Sequence, residues 1–572
     1  MKVISFLLAW RSFIGKLPPV GAAPGCGAQD QDQNQDMRSG NAFRARCEEI
    51  DVKKQRLPQR GAESSRQKRL ALVLGGALAL AGCATAPEGA ARGGASFTPA
   101  FETADCWFQT PGQTPECGFV SVPQNRKDFS KGAINLAVAI YRSPNPEKSD
   151  IPLVYIHGGP GTPALRFETQ SPGYFDNRVK PFLADRDVIL FDQRGTGYSS
   201  PAVTCPAFQK AFFENAVVVR NSKELYEFAG PKFRECGRDL EAAGLDLSAY
   251  NIRELADDMD DLRRALGYEE WFLLGQSYGT RVALNAIRRR TDGVKGVILS
   301  STAPPGALLS DGAAETRKAF ELMFSNVCIP GTACGDYPGG PFAMLAAAVD
   351  GFNKVPMSVD VSFPIPGFPY TGKPVEWTFT GDQIPGLLLG AAYAPGIQAQ
   401  LPAVLSGLMG RDEEAVKNLV TWNIIVPVGA MDSGAFWAIS CNDTIAYESG
   451  EEIRAAFAAY PELRNMMYGR NFSFGPYTRE ICESFLGALD TSDRALRSPV
   501  ESDLPVALFA SEGDQTTPPA LAFRAAETLS RSKVYLIENA AHGPLFESEC
   551  ALTLARTFLK DPSVFPEDRC GE

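Results

Sequence analysis

The sequence predicts an α/β protein with a doubly wound, mostly parallel β-sheet. Short apolar and β-branched runs alternate with helical patterns, and most runs are continuously apolar, as in parallel strands buried on both faces. The predicted strands are Ile134–Tyr141, Pro152–Ile156, Asp187–Phe191, Trp271–Leu274, Val294–Ser300, Pro505–Ala510 and Lys533–Ile537. This alternation stops between about residues 305 and 500, so an inserted second domain is expected there.

Helices are predicted both among the strands and in the inserted region. The clearest one is Asn251–Gly267, where apolar residues repeat at spacings of three and four. Asn251 and Glu254 resemble a capping box, and Gly267 is a typical C-terminal stop. In the inserted region, helices are predicted at Ala314–Phe324, Glu413–Trp422 and Glu451–Tyr460.

Composition narrows the class of protein. The chain has 572 residues, 44% apolar and 22% charged, which excludes a wholly disordered, collagenous or coiled-coil protein. Acidic residues outnumber basic ones, 67 to 56, for a net charge of −11. An acidic body argues against a nucleic-acid binder, which needs a basic face. The two histidines are His157 and His542, and a mechanism that needs histidine must use one of them.

The N-terminal region predicts export. Residues 66–82 combine basic residues, a short apolar run and small residues, as in a signal peptide. The ending Leu80-Ala81-Gly82-Cys83 resembles a bacterial lipobox, which implies cleavage before Cys83 and its lipidation; the alternative is an ordinary signal peptide. A tether at 83–100 would follow. Residues 1–65 are expected to be a disordered leader or an extension upstream of the true translation start.

These features together predict a location. A lipid anchor at Cys83 would hold the protein on the bacterial cell envelope, facing the periplasm. Because Ala84 is not an aspartate, resemblance to sorting rules favours the outer membrane. Without the anchor, the protein would be secreted.

The cysteines also fit export. Ten of the 13 lie beyond residue 100, and an even number in an exported chain suggests disulfides. Pairing of nearest neighbours is the simplest proposal, although sequence does not fix connectivity. It gives Cys106–Cys117, Cys205–Cys236, Cys328–Cys334, Cys441–Cys482 and Cys550–Cys570. A zinc site is the alternative, but the chain has no CxxC pair, so no metal is expected.

Ser277 lies in a motif typical of a catalytic nucleophile. The segment Gly275-Gln276-Ser277-Tyr278-Gly279 follows a predicted strand and precedes the helical stretch Thr280–Arg290. G-x-S-x-G in this context makes a tight turn that exposes the serine hydroxyl. The alternative is a glycine-rich turn without chemistry.

A second glycine-rich turn, His157–Gly161, follows the strand PLVYI. Its backbone can present N–H groups to an oxyanion, and we predict Gly159 and Tyr278 as the two donors. His157, Gly158 and Gly161 would support this loop rather than react.

Asp514 and His542 complete a predicted catalytic triad. Each follows a predicted strand, and the chain order Ser277, Asp514, His542 is that of one known triad arrangement. His542 would accept the serine proton, and Asp514 would fix the imidazole tautomer. Taken singly, Asp514 could be a loop-capping residue and His542 a surface residue.

Asp192-Gln193-Arg194-Gly195 follows a strand on the same side of the sheet. We expect Asp192 and Arg194 to form a buried aspartate–arginine network that braces the oxyanion loop. Direct contact with substrate is the alternative.

These motifs (HGGPG, DQRGTGYS, GQSYG, Asp514 with Thr517-Pro518, and His542-Gly543) resemble the proline iminopeptidase and tripeptidyl aminopeptidase branch of the α/β-hydrolases. The resemblance implies an α/β-hydrolase core at 101–304 and 500–572, with a mainly helical cap at 305–499. It also implies a serine aminopeptidase that acts on peptides with free N-termini and needs no cofactor.

The resemblance leaves specificity open. Prolyl aminopeptidases hold the substrate ammonium with cap glutamates, which have no match here; Asp443 and Glu512 are acidic candidates. The preferred N-terminal residue, the peptide length and the oligomeric state stay undetermined. The alternatives are a carboxylesterase or other small-molecule ester or amide hydrolase, and a binding protein on an inactive hydrolase scaffold.

Overall fold

A computed structural model describes residues 97–110, 112–166, 174–208, 210, 222–307, 309–362, 373–390, 395–429, 431–460, 477–568 and 570. The predicted leader, signal peptide, lipidation site Cys83 and most of the tether lie outside these residues. Within them, no helix has both the length and the apolar character needed to cross a bilayer.

A nine-stranded sheet organises the described residues, in the order β1-β2-β3-β5-β4-β6-β7-β10-β11. From β1 to β5 the neighbours are antiparallel, and from β5 to β11 they are all parallel. The strands are β1 (Phe101–Ala104), β2 (Glu116–Pro123), β3 (Ala133–Tyr141), β4 (Ser149–Ile156), β5 (Arg186–Phe191), β6 (Trp271–Gln276), β7 (Val294–Ser300), β8 (Met357–Ser362), β9 (Pro374–Phe379), β10 (Val506–Ser511) and β11 (Ser532–Ile537). The mostly parallel sheet confirms the predicted fold class.

The seven predicted strands are all present, and four others were not predicted. β1 and β2 form the antiparallel edge, where the apolar pattern is broken by polar residues. β8 and β9 pair with each other as a separate two-stranded antiparallel sheet inside the inserted region. The proline-rich and glycine-rich sequence between them hides the strand pattern.

Helices surround the sheet and fill most of the insert. Within the described residues they are α1 (Tyr174–Arg178), α2 (Lys180–Leu183), α3 (Ser222–Ala242), α4 (Ile252–Ala265), α5 (Tyr278–Arg289), α6 (Leu309–Val327), α7 (Gly340–Lys354), α8 (Ile384–Leu388), α9 (Pro395–Gln398), α10 (Leu401–Met409), α11 (Glu413–Gly429), α12 (Ser433–Asp443), α13 (Gly450–Ala458), α14 (Thr478–Leu486), α15 (Pro519–Ala526) and α16 (Glu549–Lys560).

Helix α4 begins as predicted, but only half of the expected capping box forms. The Asn251 side chain accepts a hydrogen bond from the Glu254 backbone N–H at 3.0 Å. The Glu254 carboxylate instead pairs with Arg126, 2.7 Å away, because this buried acid needs a positive partner. Gly267, with φ +76°, ends the helix as expected.

The sheet separates two apolar clusters, and the insert holds a third. Along β3, Leu136 and Val138 belong to one cluster and Ala137 and Ala139 to the other, as the two-residue period of a strand requires. The third cluster is made by residues between Phe320 and Val420.

Part of the predicted cap packs with the sheet rather than with the rest of the insert. Trp437 of α12 and Phe485 of α14 are buried in the same cluster as strand residues of the sheet. The domain boundaries at 305 and 499 stay predictions, but these two helices are continuous with the core.

Five disulfides join all ten cysteines beyond residue 100. They are the predicted pairs Cys106–Cys117, Cys205–Cys236, Cys328–Cys334, Cys441–Cys482 and Cys550–Cys570. The pairing of nearest neighbours is therefore confirmed in the structure. Among them, Cys441–Cys482 links α12 to α14.

The disulfides are expected to contribute unequally to stability. Cys441 and Cys482 are 41 residues apart, whereas Cys328 and Cys334 are 6 apart. A crosslink that closes a longer loop restricts the unfolded chain more, which predicts losses of about 4 and about 2 kcal/mol when each pair is replaced by alanine. Urea unfolding of the two double variants measures this, and an inverse order would contradict it.

Candidate active site

Ser277 occupies the strained turn that the G-x-S-x-G motif predicts. It lies between β6 and α5 with φ 55° and ψ −123°, a conformation that non-glycine residues rarely adopt. Its N–H donates to the Ser300 carbonyl at 2.9 Å. A Cβ on Gly279 would lie 2.1 Å from the Ile156 carbonyl oxygen, and one on Gly275 would lie 2.6 Å from the Gly279 carbonyl oxygen. The turn therefore requires both glycines.

His542 and Asp514 are paired in the structure. Asp514 follows β10 and His542 follows β11, so adjacent parallel strands bring the two loops to the same edge of the sheet. The His542 Nδ1 atom lies 2.9 Å from Asp514 Oδ2 and 3.0 Å from Oδ1. Both side chains are buried. The contact at Nδ1 leaves Nε2 as the nitrogen available to accept a proton.

Asp514 is held in place by several donors besides His542. The backbone N–H groups of Thr516 and Thr517 each donate to Oδ1 at 2.9 Å. The hydroxyls of Ser301 and Thr517 each donate to Oδ2 at 2.7 Å. Burial alone would raise the pKa of Asp514, but His542 and these donors outweigh it, so the pKa lies below the ordinary value. The carboxylate is therefore ionised and fixed in orientation.

The predicted oxyanion loop lies directly beside Ser277. A Cβ on Gly158 would lie 2.8 Å from the Ser277 Cβ and 3.3 Å from its Oγ, so only glycine fits. Gly159 and Gly161 both have positive φ, at 113° and 87°. His157 stacks on a tyrosine ring with centroids 6.1 Å apart. The structure thus brings the loop to the serine, while the donor roles of the Gly159 and Tyr278 N–H groups stay predictions.

Asp192 holds the chain just beyond this loop. Its Oδ1 accepts the backbone N–H groups of Ala164 at 2.6 Å and Leu165 at 2.9 Å, and its Oδ2 accepts that of Tyr198 at 2.8 Å. Burial raises the pKa of Asp192 to about 7, although these three donors act in the opposite direction. The side chain therefore ties the segment after the loop to the turn after β5.

The prediction that Arg194 pairs with Asp192 to brace the oxyanion loop is wrong. The Arg194 guanidinium forms two hydrogen bonds of 2.7 Å with Asp258 on α4 and further ones with backbone carbonyls, including that of Gln124 at 2.8 Å. None of these partners belongs to the oxyanion loop His157–Gly161. Gln193 takes the expected role instead, because its Nε2 donates to the His157 carbonyl at 2.7 Å.

Replacing Asp192 with asparagine is expected to destabilise the fold by about 1–3 kcal/mol. Asparagine offers one oxygen, so its amide NH₂ would face either the Tyr198 N–H or those of Ala164 and Leu165. Urea unfolding measures the loss, and Asp150→Asn, at an exposed position, is the matched control. Equal stability of both variants would contradict this role.

Asp432 was not predicted, yet it contacts the same region. Its backbone N–H donates to the Gly161 carbonyl at 2.8 Å, and its carboxylate accepts the Gly197 N–H at 2.7 Å and pairs with Arg166 at 3.1 Å. Asp432 lies more than 230 residues beyond these partners in the chain, and no local motif surrounds it, so the sequence carried no signal.

Asp443, one of the acidic candidates for ammonium binding, is engaged inside the protein. One carboxylate oxygen accepts the Ile252 N–H at 2.8 Å, and the other accepts the Tyr278 hydroxyl. Burial raises the pKa of Asp443 to about 6, and the Tyr278 hydrogen bond lowers it in part. Asp443 therefore supports the nucleophile turn through the Tyr278 side chain. The other candidate, Glu512, follows β10 and is half-buried.

Comparison with known proteins agrees with the fold. A family model described as alpha/beta hydrolase fold matches residues 151–331, and one described as TAP-like protein matches residues 477–570. Together with the mostly parallel sheet, these matches show that the chain has the α/β-hydrolase fold.

Named relatives point to peptidases. The chain is similar to the serine protease Hip1 of Mycobacterium tuberculosis (27% identical over 51% of this chain and 56% of the relative). It is also similar to the tripeptidyl aminopeptidase of Streptomyces lividans (31%, over 33% and 36%) and a proline iminopeptidase of Clostridium botulinum (28%, over 27% and 37%). The matches thus span about half or less of each relative. These relatives show that the chain is similar to α/β-hydrolases that are named as peptidases.

Proposed function

We propose that the protein is an exported serine aminopeptidase that uses Ser277, His542 and Asp514 to remove N-terminal residues from peptides. The observation that carries the proposal is the 2.9 Å contact between His542 Nδ1 and the buried Asp514 carboxylate. It lies at the same sheet edge as the strained Ser277 turn. The peptidase names of the relatives support a peptide substrate.

The reaction is an acyl transfer. His542 Nε2 takes the hydroxyl proton as Ser277 Oγ attacks the scissile carbonyl carbon, and the resulting oxyanion is stabilised by the N–H groups of Gly159 and Tyr278. His542 then protonates the leaving amine, and an acyl-enzyme remains. Water, deprotonated by His542, attacks this ester; the bond to Ser277 Oγ breaks, His542 returns the proton to Oγ, and the N-terminal fragment leaves as a carboxylic acid. Asp514 stabilises the imidazolium in both halves.

Paired substrates test the aminopeptidase proposal. Release of p-nitroaniline is measured from Pro, Ala and Ala-Ala-Pro anilides with free and with acetylated N-termini. An aminopeptidase cleaves only the free-amine forms, and the best substrate length separates single-residue from tripeptide release. Ser277→Ala protein is the blank.

Two outcomes would overturn the aminopeptidase proposal. Equal cleavage of acetylated and free-amine substrates would show that the N-terminus is not recognised. Turnover of p-nitrophenyl butyrate without any anilide cleavage would instead identify an esterase on the same fold.

Export is supported by the cysteine chemistry. The structure contains five disulfides, and disulfides form and persist in oxidising compartments but are rare in the cytosol. The lipobox-like sequence at Cys83 supports anchoring to the cell envelope. A Cys83→Ser variant is expected to lose incorporation of labelled fatty acid and to leave the membrane fraction; unchanged labelling would exclude Cys83 as the lipid site.

A further inference from the structure

Strand β7 lies between the strand that precedes Ser277 and the strand that precedes Asp514. Its neighbours β6 and β10 are both parallel to it, and β11, which precedes His542, is parallel to β10. The C-terminal ends of these four strands therefore meet at one edge of the sheet. At the end of β7, the Ser300 carbonyl accepts the Ser277 N–H at 2.9 Å.

The Ser301 hydroxyl, directly after β7, contacts the loops of both Asp514 and His542. It donates to Asp514 Oδ2 at 2.7 Å and accepts the N–H of Gly543, the residue after His542, at 2.8 Å. Ser301 is fully buried, and its own N–H donates to the Phe509 carbonyl of β10 at 2.9 Å. A single oxygen atom therefore joins the Asp514 carboxylate to the backbone beside the imidazole.

Besides His542 and Ser301, the groups described as donating to Asp514 come from its own loop. The N–H groups of Thr516 and Thr517 donate to Oδ1, and the Thr517 hydroxyl donates to Oδ2. Ser301 comes from a different strand and donates to Oδ2, the oxygen that lies 2.9 Å from His542 Nδ1. Groups of one loop move together, so a contact from another strand is needed to fix Asp514 relative to His542.

The backbone of Ser301 is strained. Its φ of +60° lies in the left-handed region, which non-glycine residues rarely adopt. Residues held in this region cost free energy and are concentrated at functional sites. Glycine adopts the same conformation without this cost, but it has no side chain. The conformation therefore favours glycine, whereas the contacts with Asp514 and Gly543 require a hydroxyl.

We propose that Ser301 is a positioning residue of the active site. Its hydroxyl fixes the Asp514 carboxylate against His542, so that the imidazole stays oriented to take the Ser277 proton. Without the hydroxyl, the Gly543 N–H would lose its acceptor and Asp514 Oδ2 would lose one donor, which would free the two loops to shift. The inference rests on the proposed triad but not on the aminopeptidase specificity.

The rate of covalent labelling by a fluorophosphonate tests the proposal without a peptide substrate, because labelling needs an activated Ser277. Ser301→Ala protein is expected to be labelled about 10- to 100-fold more slowly, since a hydrogen bond to a charged group is lost. On any substrate that the protein cleaves, kcat should fall by a similar factor while KM stays nearly unchanged, because positioning acts on the chemical step.

Ser143→Ala is the matched control. The Ser143 hydroxyl also makes two contacts, since it donates to the Leu183 carbonyl and accepts the Asn145 N–H at 3.2 Å. Ser143 follows β3, which is antiparallel to β5, so it lies at the opposite edge of the sheet from the triad. Ser143→Ala protein should therefore be labelled at the rate of the unaltered protein.

Proton NMR separates positioning from a general loss of stability. The proton on His542 Nδ1, hydrogen-bonded to Asp514, is expected to give a low-field resonance that His542→Gln protein lacks. This resonance should shift or disappear in Ser301→Ala protein that is folded by circular dichroism. It should be unchanged in Ser143→Ala protein.

Ser301→Gly separates the hydroxyl from the strained backbone. This variant lacks the hydroxyl but relieves the positive φ, so it should be labelled as slowly as Ser301→Ala protein. It should also unfold at an equal or higher urea concentration than Ser301→Ala protein. If Ser301→Ala protein does not fold, Ser301→Gly takes its place in both measurements.

Three results would overturn the proposal. They are normal labelling of folded Ser301→Ala protein, an unchanged His542 resonance in that protein, or normal labelling of Ser301→Gly protein. Labelling that persists in Ser277→Ala protein would refute the triad, and this inference with it. Slow labelling of Ser301→Ala protein, in a chain that cleaves no peptide anilide, would retain the role of Ser301 and lose only the aminopeptidase proposal.

Discussion

Ser277→Ala protein is expected to lose at least about 10⁴-fold in kcat on its best substrate while keeping the stability of the unaltered protein. Without Oγ there is no atom to form the acyl-enzyme. Removing a small hydroxyl from a turn held by backbone hydrogen bonds leaves the fold intact. The strained φ of 55° is set by the neighbouring glycines and strands and not by the hydroxyl.

Steady-state kinetics and covalent labelling by a fluorophosphonate measure this effect together. Labelling should disappear in Ser277→Ala protein and persist in Ser130→Ala protein, where the altered serine is exposed and bonds only locally to Asp128. Residual turnover above about one part in 10³ by a folded Ser277→Ala preparation would assign the chemistry to another residue.

Asp514→Asn is expected to reduce kcat by about 10⁴-fold with little change in KM. Because the Thr516 and Thr517 N–H groups both donate to the position of Oδ1, the new asparagine must place its amide oxygen there. His542 Nδ1 would then face the NH₂ group and act as an acceptor, which places the proton on Nε2. The imidazole would then be unable to take the serine proton.

Kinetics across pH and unfolding experiments measure this second effect. Because the folded-state pKa of Asp514 is lowered, its carboxylate contributes stability that is present above about pH 4 and lost as pH falls through the folded-state value. Asp514→Asn protein should not show this loss of folding stability at acid pH. Asp503→Asn, at an exposed position before β10, is the control and should behave as the unaltered protein. Equal kcat for both variants would refute the role of Asp514.

The features that the sequence predicted are those encoded locally. Continuous apolar runs locate the parallel strands, and the glycines around Ser277 and in His157–Gly161 lie in short motifs that can be read from the sequence, although contacts between segments are what exclude a Cβ at Gly158 and Gly279. The order of Ser277, Asp514 and His542, each directly after a strand, suffices to place Asp514 and His542 together. The disulfides also follow sequence order, since each cysteine pairs with its nearest neighbour.

The features that the sequence did not predict depend on distant contacts. The sequence predicts that Arg194 pairs with Asp192 because both lie in one short motif, but the Arg194 guanidinium pairs with Asp258 on α4. The Ser301 hydroxyl donates to Asp514 and accepts the Gly543 N–H. Ser301 follows β7, and no motif in the sequence marks it. Asp443 reaches Tyr278 from 165 residues away, through the packing of α12 against the core.

The position of α12 and α14 sets the limits within which this protein can be recombined with its relatives. A chimera that exchanges everything from 305 to 499 would remove Trp437, Phe485 and the Asp443 support of Tyr278 together, so the remaining scaffold would lose part of its own interior. The transferable unit is the shorter stretch Leu309–Gly429, which has its own apolar cluster. A donor sequence would still need a side-chain amide at the position of Gln398, which donates to the Gly513 carbonyl next to Asp514.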